Sequence, residues 1–176
     1  PNAVFATTVQ FQTVMGDITV ELFDESTPET VANFLRYVDE QKFNDTLIHR
    51  SVKNFVIQGG GFTYTDDGIE RISSYGAVIN EPVFANVRGT IAMAKLGGDP
   101  NSATSEWFFN LGNNTTNLDN QNGGFTVFGQ VTEGMDVVDA IADLPRYKGG
   151  GFTEIPLRDW VSSSSAQPTD EHYVII

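Results

Sequence analysis

His49 and His172 are the only imidazoles in the chain, and it contains no cysteine. Two histidines separated by most of the sequence cannot assemble a histidine-rich zinc site or an HExxH protease, and without cysteine there are no thiolate ligands, disulfides or thiol nucleophiles. A serine triad would have to use one of these two histidines, yet no G-x-S-x-G elbow marks an exposed serine. The run Gly59-Gly60-Gly61 lacks the lysine and serine or threonine of a phosphate loop and misses the dinucleotide spacing, so it reads as backbone geometry. The stretch 119–130 has Gly124 at the sixth place of a calcium loop, but Gln121, Gly123 and Gln130 stand where ligands belong, which leaves a polar surface loop. Asp66, Asp67 and Glu70 invite an acid/base reading that a solvated loop explains equally well. What remains is Arg50 at the end of one apolar run, followed by Phe55, Val56 and Gln58 in the next. Two adjacent extended pieces would bring a cation, an aromatic ring and an amide to one surface. Taken singly, Arg50 reads as a surface charge and Phe55, Phe108 and Leu118 as core residues.

The elements that must position these side chains follow from pattern and punctuation. The runs TVQFQTV (8–14) and ITVELF (18–23) alternate around Met15-Gly16-Asp17 and predict a hairpin. Ser26 and Glu29 have capping-box spacing with Pro28 between them, and Val31, Phe34, Leu35 and Val38 follow at helical spacing, so a helix is predicted over 28–40. TLIHR (46–50), FVIQ (55–58), GTIAMAK (89–95), EWFFNL (106–111) and TVFGQV (126–131) are short apolar runs between Gly, Asn, Asp and Pro clusters, the signature of a barrel or a sandwich. Met135, Val138, Ile141 and Ala142 give a second helix that Pro145 ends. The stretch VSSSSAQPT (161–169) is polar and flexible by composition, and HYVII (172–176) is predicted to return to the sheet.

With 176 residues the chain fits a single domain over 1–176, large enough to bury about 70% of its unfolded surface without staples. Ten lysines and arginines against 23 aspartates and glutamates give a net charge of −13, a field that repels phosphate backbones and anionic lipid and argues against nucleic-acid or membrane partners. A hydrophobic content of 40% with 13 phenylalanines excludes a disordered chain. No apolar run reaches the roughly 18 to 20 residues of a spanning helix. The first residue is Pro1 rather than methionine, so the chain reads as processed or truncated, and an exported, periplasmic setting is expected ahead of a cytoplasmic one.

HRSVKNFVIQGGGF (49–62) resembles the cyclophilin signature, in which His-Arg is followed at fixed spacing by Phe and by Gln-Gly-Gly. RGTIAMAK (88–95), NSATSEWFFN (101–110) and FTVFGQVTEGMDVVDAI (125–141) are similar to cyclophilin segments in order and spacing, with a bacterial flavour, and the likeness runs over roughly residues 8 to 142. The resemblance implies a mainly β fold, a closed eight-stranded antiparallel barrel capped by two α-helices, and peptidyl-prolyl cis-trans isomerase activity in a groove across one barrel face. It implies Arg50 as the catalytic arginine, with Phe55 and with Gln58 positioning both Arg50 and the peptide backbone. Val56, Phe108, Leu118 and Phe125 would line the proline pocket. Ala94 and Lys95 would pair with the peptide through their main chain, so Lys95 is expected to matter through its backbone. The implied partners are proline-containing peptides and unfolded protein clients, and the chain is expected to be a monomer that needs no cofactor or metal.

Several positions depart from the family pattern. Lys53-Asn54 replaces Pro-Gly, Trp107 stands where phenylalanine is typical, and Phe125 where histidine or tyrosine is common. Glu106 replaces a glutamine and is a possible modulator, expected to pair with Arg50 and either orient it or hold it away from substrate. Asn117 occupies the place where animal members carry a tryptophan that contacts cyclosporin, so weak cyclosporin binding is expected. The rival reading is a catalytically weak proline-binding or chaperone module, against which the intact Arg50 speaks.

Overall fold

The computed structural model describes residues 6–161 and 167–176, so most of the serine-rich stretch lies outside the described residues. Strands β1 (Thr8–Thr13) and β2 (Gly16–Leu22) form the predicted hairpin in the register Thr8↔Glu21 to Thr13↔Gly16. The turn sits one residue earlier than expected, at Val14 and Met15, because the Thr13 hydroxyl donates to the Gly16 carbonyl at 2.7 Å and accepts from the Met15 N–H at 3.0 Å. Helix α1 (Pro28–Asp39) follows. It turns Thr30, Val31, Phe34 and Tyr37 inward, leaves Leu35 half-buried and exposes Val38, so the buried stripe is rotated from the one expected.

The capping box expected at Ser26 and Glu29 does not form: Thr27 is the N-cap and its hydroxyl donates back to the Phe23 carbonyl. The helix start is served from a distance instead. The Glu81 carboxylate accepts from the Thr30 N–H at 2.9 Å, the Thr30 hydroxyl at 2.7 Å and the Glu29 N–H at 3.3 Å. An anion there satisfies orphan amides and complements the positive end of the helix dipole.

Strands β3 (Arg50–Val52), β4 (Val56–Gly59), β7 (Thr90–Met93), β8 (Trp107–Asn110) and β9 (Val127–Glu133) join the hairpin in one antiparallel sheet of order β1-β2-β9-β7-β8-β4-β3. Of TLIHR, only Arg50 enters a ladder strand. Strands β5 (Phe62–Thr65) and β6 (Gly68–Arg71) form a separate hairpin whose turn carries the exposed Asp66 and Asp67; β10 (Arg146–Gly149) and β11 (Phe152–Pro156) form another. Helix α2 (Thr115–Leu118) is a single turn, and α3 (Met135–Asp143) buries Val138, Ile141 and Ala142 as predicted. Gly134 precedes α3 at φ +84°, where a Cβ would lie 2.2 Å from the Asp17 carbonyl oxygen, so the helix can approach β2 only through glycine.

The mainly β class and the two principal helices stand, but the closed eight-stranded ladder needs correction: among the described residues the continuous sheet has seven strands. The eighth place is taken by residues 173–176, which return as expected but make only isolated bridges, Leu47↔Ile175 beside the sheet and Leu157↔Tyr173. Ile175 accepts from the Val14 N–H at 3.2 Å and Val174 from the Ile48 N–H at 2.9 Å, so the tail spans the gap between the end of β1 and the chain leading into β3. It follows directly on a 3₁₀ turn (Asp170–His172).

The interior is aromatic. Phe11 meets Trp107 edge-on at 4.9 Å and Phe109 at 5.4 Å, and Phe34 lies 5.1 Å from Phe128. A second, separate apolar cluster of Val56, Ala92, Phe108, Leu118 and Val127 lies on the other face of the same strands. Strands apolar on both faces must be covered on both sides or carry a binding surface on one.

Replacing Glu81 by alanine, which leaves the first turn of α1 without its acceptor, is expected to cost about 1 to 2 kcal/mol of stability. Urea unfolding checks this, with Glu81→Gln intermediate because it keeps an acceptor but loses the charge.

Candidate active site

The second cluster is laid out by strand register. Arg50 stands opposite Gln58 across β3 and β4, Gln58 opposite Phe108 across β4 and β8, Phe108 opposite Ala92 across β8 and β7, and Ala92 opposite Val127 across β7 and β9. Directly opposed residues share a face, so these five side chains form a row that begins with a cation and an amide and becomes apolar. The alternate row, Ser51, Ile57, Phe109 and Ile91, points into the main core.

Above this row lies a hollow of about 250 Å³ lined by Arg50, Phe55, Val56, Gln58, Ala94, Lys95, Phe108, Leu118, Gln121 and Phe125. Every residue the sequence assigned to catalysis or substrate binding is brought to it. Glu106 is not among its lining residues, and Gln121, which the sequence reading missed, is. Val56, Phe108 and Leu118 form the buried floor, while Phe55, Arg50, Gln58, Lys95 and Phe125 are half-exposed around the rim. The Phe125 ring stands edge-on to Phe108 at 6.0 Å. A larger hollow of about 500 Å³ between β1 and α1, lined in part by Val9, Phe11, Val38 and Asp45, gathers none of these side chains.

Phe55 is held by an unpredicted buried amide network. Its carbonyl accepts from the Leu111 N–H and the Asn114 side chain, both at 2.9 Å. Asn114 donates to Asn110 at 2.8 Å, and Asn110 donates to Asn86 at 3.1 Å and Thr90 at 2.9 Å. Asn86 donates in turn to the Asp119 carboxylate at 2.8 Å and the Phe125 carbonyl at 3.1 Å. One chain of satisfied amides therefore ties both aromatic walls to the sheet. Asp119, tested above as a calcium ligand, spends its carboxylate here. The Lys53-Asn54 departure is accommodated because Asn54 takes the left-handed conformation at φ +61°, which asparagine tolerates, and the Phe55 N–H closes the turn on Val52 at 3.0 Å.

Arg50 is held on two sides. Its Nη1 donates to Gln58 Oε1 at 3.4 Å, and its Nε lies 3.6 Å from Glu154 Oε2 on β11. Glu106 does not pair with Arg50, contrary to expectation. Its carboxylate accepts from the Gln58 amide at 2.7 Å and from Arg71 Nη1 at 2.8 Å, and lies 3.3 Å from His49 Nε2. Its influence on Arg50 thus runs through Gln58, whose NH₂ is turned to Glu106 and whose oxygen is left facing the guanidinium. The triple glycine makes room for this layer: a Cβ on Gly60 would fall 2.6 Å from Trp107 Nε1, and one on Gly61 2.8 Å from the Glu106 side chain. Burial alone would raise the Glu106 pKa, but hydrogen bonds from His49, Arg71 and Gln58 and the charge of His49 outweigh it and hold the carboxyl at about 2.

The side chain of Lys95, a residue expected to matter through its backbone, is itself engaged. Its ammonium donates to the Asn122 carbonyl at 2.7 Å and to the Gly124 carbonyl, and sits 4.8 Å from the centre of the Phe125 ring. Its own N–H and C=O have no partner among the described residues, which leaves a peptide-like donor and acceptor at the rim. The site as a whole offers a fixed cation at the mouth of an apolar socket beside unpaired main chain, suited to binding an extended peptide and stabilising charge on it.

Residues 8–162 match the family described as cyclophilin type peptidyl-prolyl cis-trans isomerase/CLD. A peptidyl-prolyl cis-trans isomerase of Acinetobacter baylyi is 39% identical over 88% of this chain and 82% of its own length, and the isomerase B of Escherichia coli 38% identical over 89% and 96%. Among solved structures, a cyclophilin type peptidyl-prolyl cis-trans isomerase of Cryptosporidium parvum superposes with a TM-score of 0.67 at 26% identity over 82% of this chain and 88% of that one. The same protein in the presence of the dipeptide Ala-Pro gives 0.69 at 22% identity, over 96% and 95%.

A carboxyl held below its unfolded value of 4.5 stabilises the fold above that value and loses its contribution as the pH falls toward about 2. Glu106→Gln should therefore destabilise the protein at neutral pH, by no more than about 3 kcal/mol. The gap to wild type should narrow steadily on acidification below about pH 5 in paired urea titrations.

Proposed function

The chain belongs to the cyclophilin-type peptidyl-prolyl cis-trans isomerases, and we propose that its hollow holds the proline ring of an Xaa-Pro segment while Arg50 stabilises the twisted amide. Rotation about a prolyl amide requires loss of resonance, a barrier of about 18 to 20 kcal/mol, and needs no nucleophile and no net proton transfer. In the twisted state the prolyl nitrogen becomes pyramidal and recovers a lone pair. A donor aimed at that nitrogen binds the twisted state better than the planar one, which is the condition for catalysis.

The observation that carries this reading is the placement of the Arg50 guanidinium at the rim of the socket, held by Gln58 and Glu154. A charge-assisted hydrogen bond supplies about 1.5 to 3 kcal/mol, or roughly ten- to hundredfold. The remainder falls to the apolar floor. The planar amide is more polar than the twisted one, so a setting of Phe55, Val56, Phe108 and Leu118 disfavours the ground state while it fixes the ring. The free N–H and C=O of Lys95 serve the backbone of the bound chain. Suitable substrates are proline-containing peptides and flexible or unfolded chains, in which uncatalysed isomerisation takes tens to hundreds of seconds. Cyclosporin binding is proposed to be weak, because position 117 offers an exposed asparagine whose amide oxygen accepts from Gln121, in place of an aromatic ring.

A protease-coupled or exchange-NMR assay on a short Xaa-Pro peptide tests the division of roles. Arg50→Ala should slow the catalysed step roughly ten- to hundredfold while peptide affinity changes less than about threefold. Phe108→Ala should damage affinity and rate together. Equal losses of rate and affinity for the arginine variant would overturn the scheme, and peptide binding by wild type with no acceleration would make the protein a proline-binding module. For cyclosporin, a Kd above about 1 μM is expected by titration calorimetry, and sub-micromolar binding would refute the reading of position 117.

A further inference from the structure

The outer wall of the hollow is a loop with little regular structure. Residues 119–125 run from α2 to β9 through three consecutive positive-φ residues, Asn122, Gly123 and Gly124, and deliver Gln121 and Phe125 to the rim. No ladder hydrogen bond reaches this stretch; its own backbone bonds are Gly124 N–H to Gln121 at 2.9 Å and Phe125 N–H to Leu118 at 3.0 Å, and side chains of other segments hold it from outside. Asn80 donates to the Gly123 and Gly124 carbonyls, each at 2.9 Å. The only cation to reach the loop among the described residues is Lys95, two residues past the end of β7, whose ammonium sits among main-chain oxygens.

Three carbonyls converge on that ammonium: Asn122 at 2.7 Å, Gly124 at hydrogen-bond contact and, more distantly, Pro100 at 3.5 Å. The Phe125 ring closes the arrangement at 4.8 Å, so one charge gathers the backbone just before Phe125 and also the face of its ring. From the loop side, Asn122 donates back to the Leu96 carbonyl at 2.8 Å, next to the lysine. Burial lowers the Lys95 pKa, with Asp99 opposing, as expected of an ammonium withdrawn from water. Lysine heads ordinarily reach for solvent.

We propose that the Lys95 side chain is a positioning residue for substrate specificity: by clasping the 119–125 loop it fixes Phe125 against Phe108 and so sets the width, and the proline affinity, of the socket. This rests on the peptide-binding reading of the hollow given above. The clasp acts on the wall and leaves Arg50, Gln58 and Glu154 untouched, so it governs binding and not the catalysed step itself.

Lys95→Met keeps the apolar stem and removes the ammonium, and Lys95→Arg restores a charge able to donate to the same carbonyls. For a short Ala-Pro-containing peptide followed by NMR titration and exchange spectroscopy, Lys95→Met should raise Kd and KM roughly tenfold while kcat stays within about twofold. Lys95→Arg should recover most of the affinity. The Phe125 amide, which donates to the Leu118 carbonyl at 3.0 Å, should exchange faster in Lys95→Met only, with the sheet amides unchanged. An unchanged Kd in Lys95→Met, or equal losses in KM and kcat, would overturn the inference. If wild type binds the peptide without isomerising it, the proposed function fails while the affinity comparison still decides the role of Lys95.

Discussion

A strand register underlies everything at the site. Because Arg50, Gln58, Phe108 and Ala92 are direct partners across four neighbouring strands, a cation, an amide and an apolar floor share one face, with spacing set by the backbone ladder. A slip of one residue in any pairing would exchange that face with the core face, sending Phe108 inward and Phe109 to the surface. The core resists such a slip: Ile57, Phe109 and Ile91 are fully buried on the opposite side of the same three strands. The packing that stabilises the fold is thereby also what aligns the chemistry, and no separate device is needed to hold the row in place.

What the ladder cannot fix is the orientation of long polar side chains, and here the layer around Glu106 acts. A glutamine amide presents a donor on one side and an acceptor on the other. Glu106 accepts from the donor side of Gln58, which commits the acceptor side to Arg50. A glutamine at position 106 would accept or donate and leave that choice open. Arg71 and His49 hold the carboxylate from β6 and from the segment before β3, and the Arg71 guanidinium lies 4.5 Å over Phe62 on β5, so the β5–β6 hairpin braces the relay from outside the sheet. A half-buried carboxylate with this many donors gains more from them than its partial burial costs it.

The residues that line the hollow were legible through the family resemblance of short local segments, Arg50, Phe55, Val56 and Gln58 within nine residues and Phe108 and Leu118 in segments of their own, where spacing alone read as ordinary. The helices were legible from their own apolar spacing. Contacts between segments distant in sequence were not. Glu81 serving α1 from 51 residues away, the asparagines linking Phe55 to Phe125, and Glu154 reaching Arg50 from β11 involve residue types that also occupy ordinary surface loops. The pairing expected between Glu106 and Arg50 does not form because Gln58, Arg71 and His49, from other segments, satisfy the carboxylate. The eighth strand is replaced by isolated bridges, Leu47↔Ile175 and Leu157↔Tyr173, that pair the terminal apolar run with two different segments.

These features sort the site by what must stay still and what must move. In the proposed reaction the acyl half of the peptide swings about the prolyl bond, so the ring and the cation facing the nitrogen would need fixed positions, while the preceding residue would need room. The ring side is accordingly the floor, built on buried strands and walled by Phe55 and Phe125, both tied down by the asparagine network. Arg50 stands at the half-exposed edge, where its stem is anchored by the ladder and its head by Gln58 and Glu154. A socket that enclosed the whole dipeptide would grip the planar amide as firmly as the twisted one and gain nothing in rate. Leaving one side open to solvent lets the planar substrate enter and leave in either isomer. In the proposed scheme only the twisted form, with its nitrogen turned toward the guanidinium, would make the extra contact.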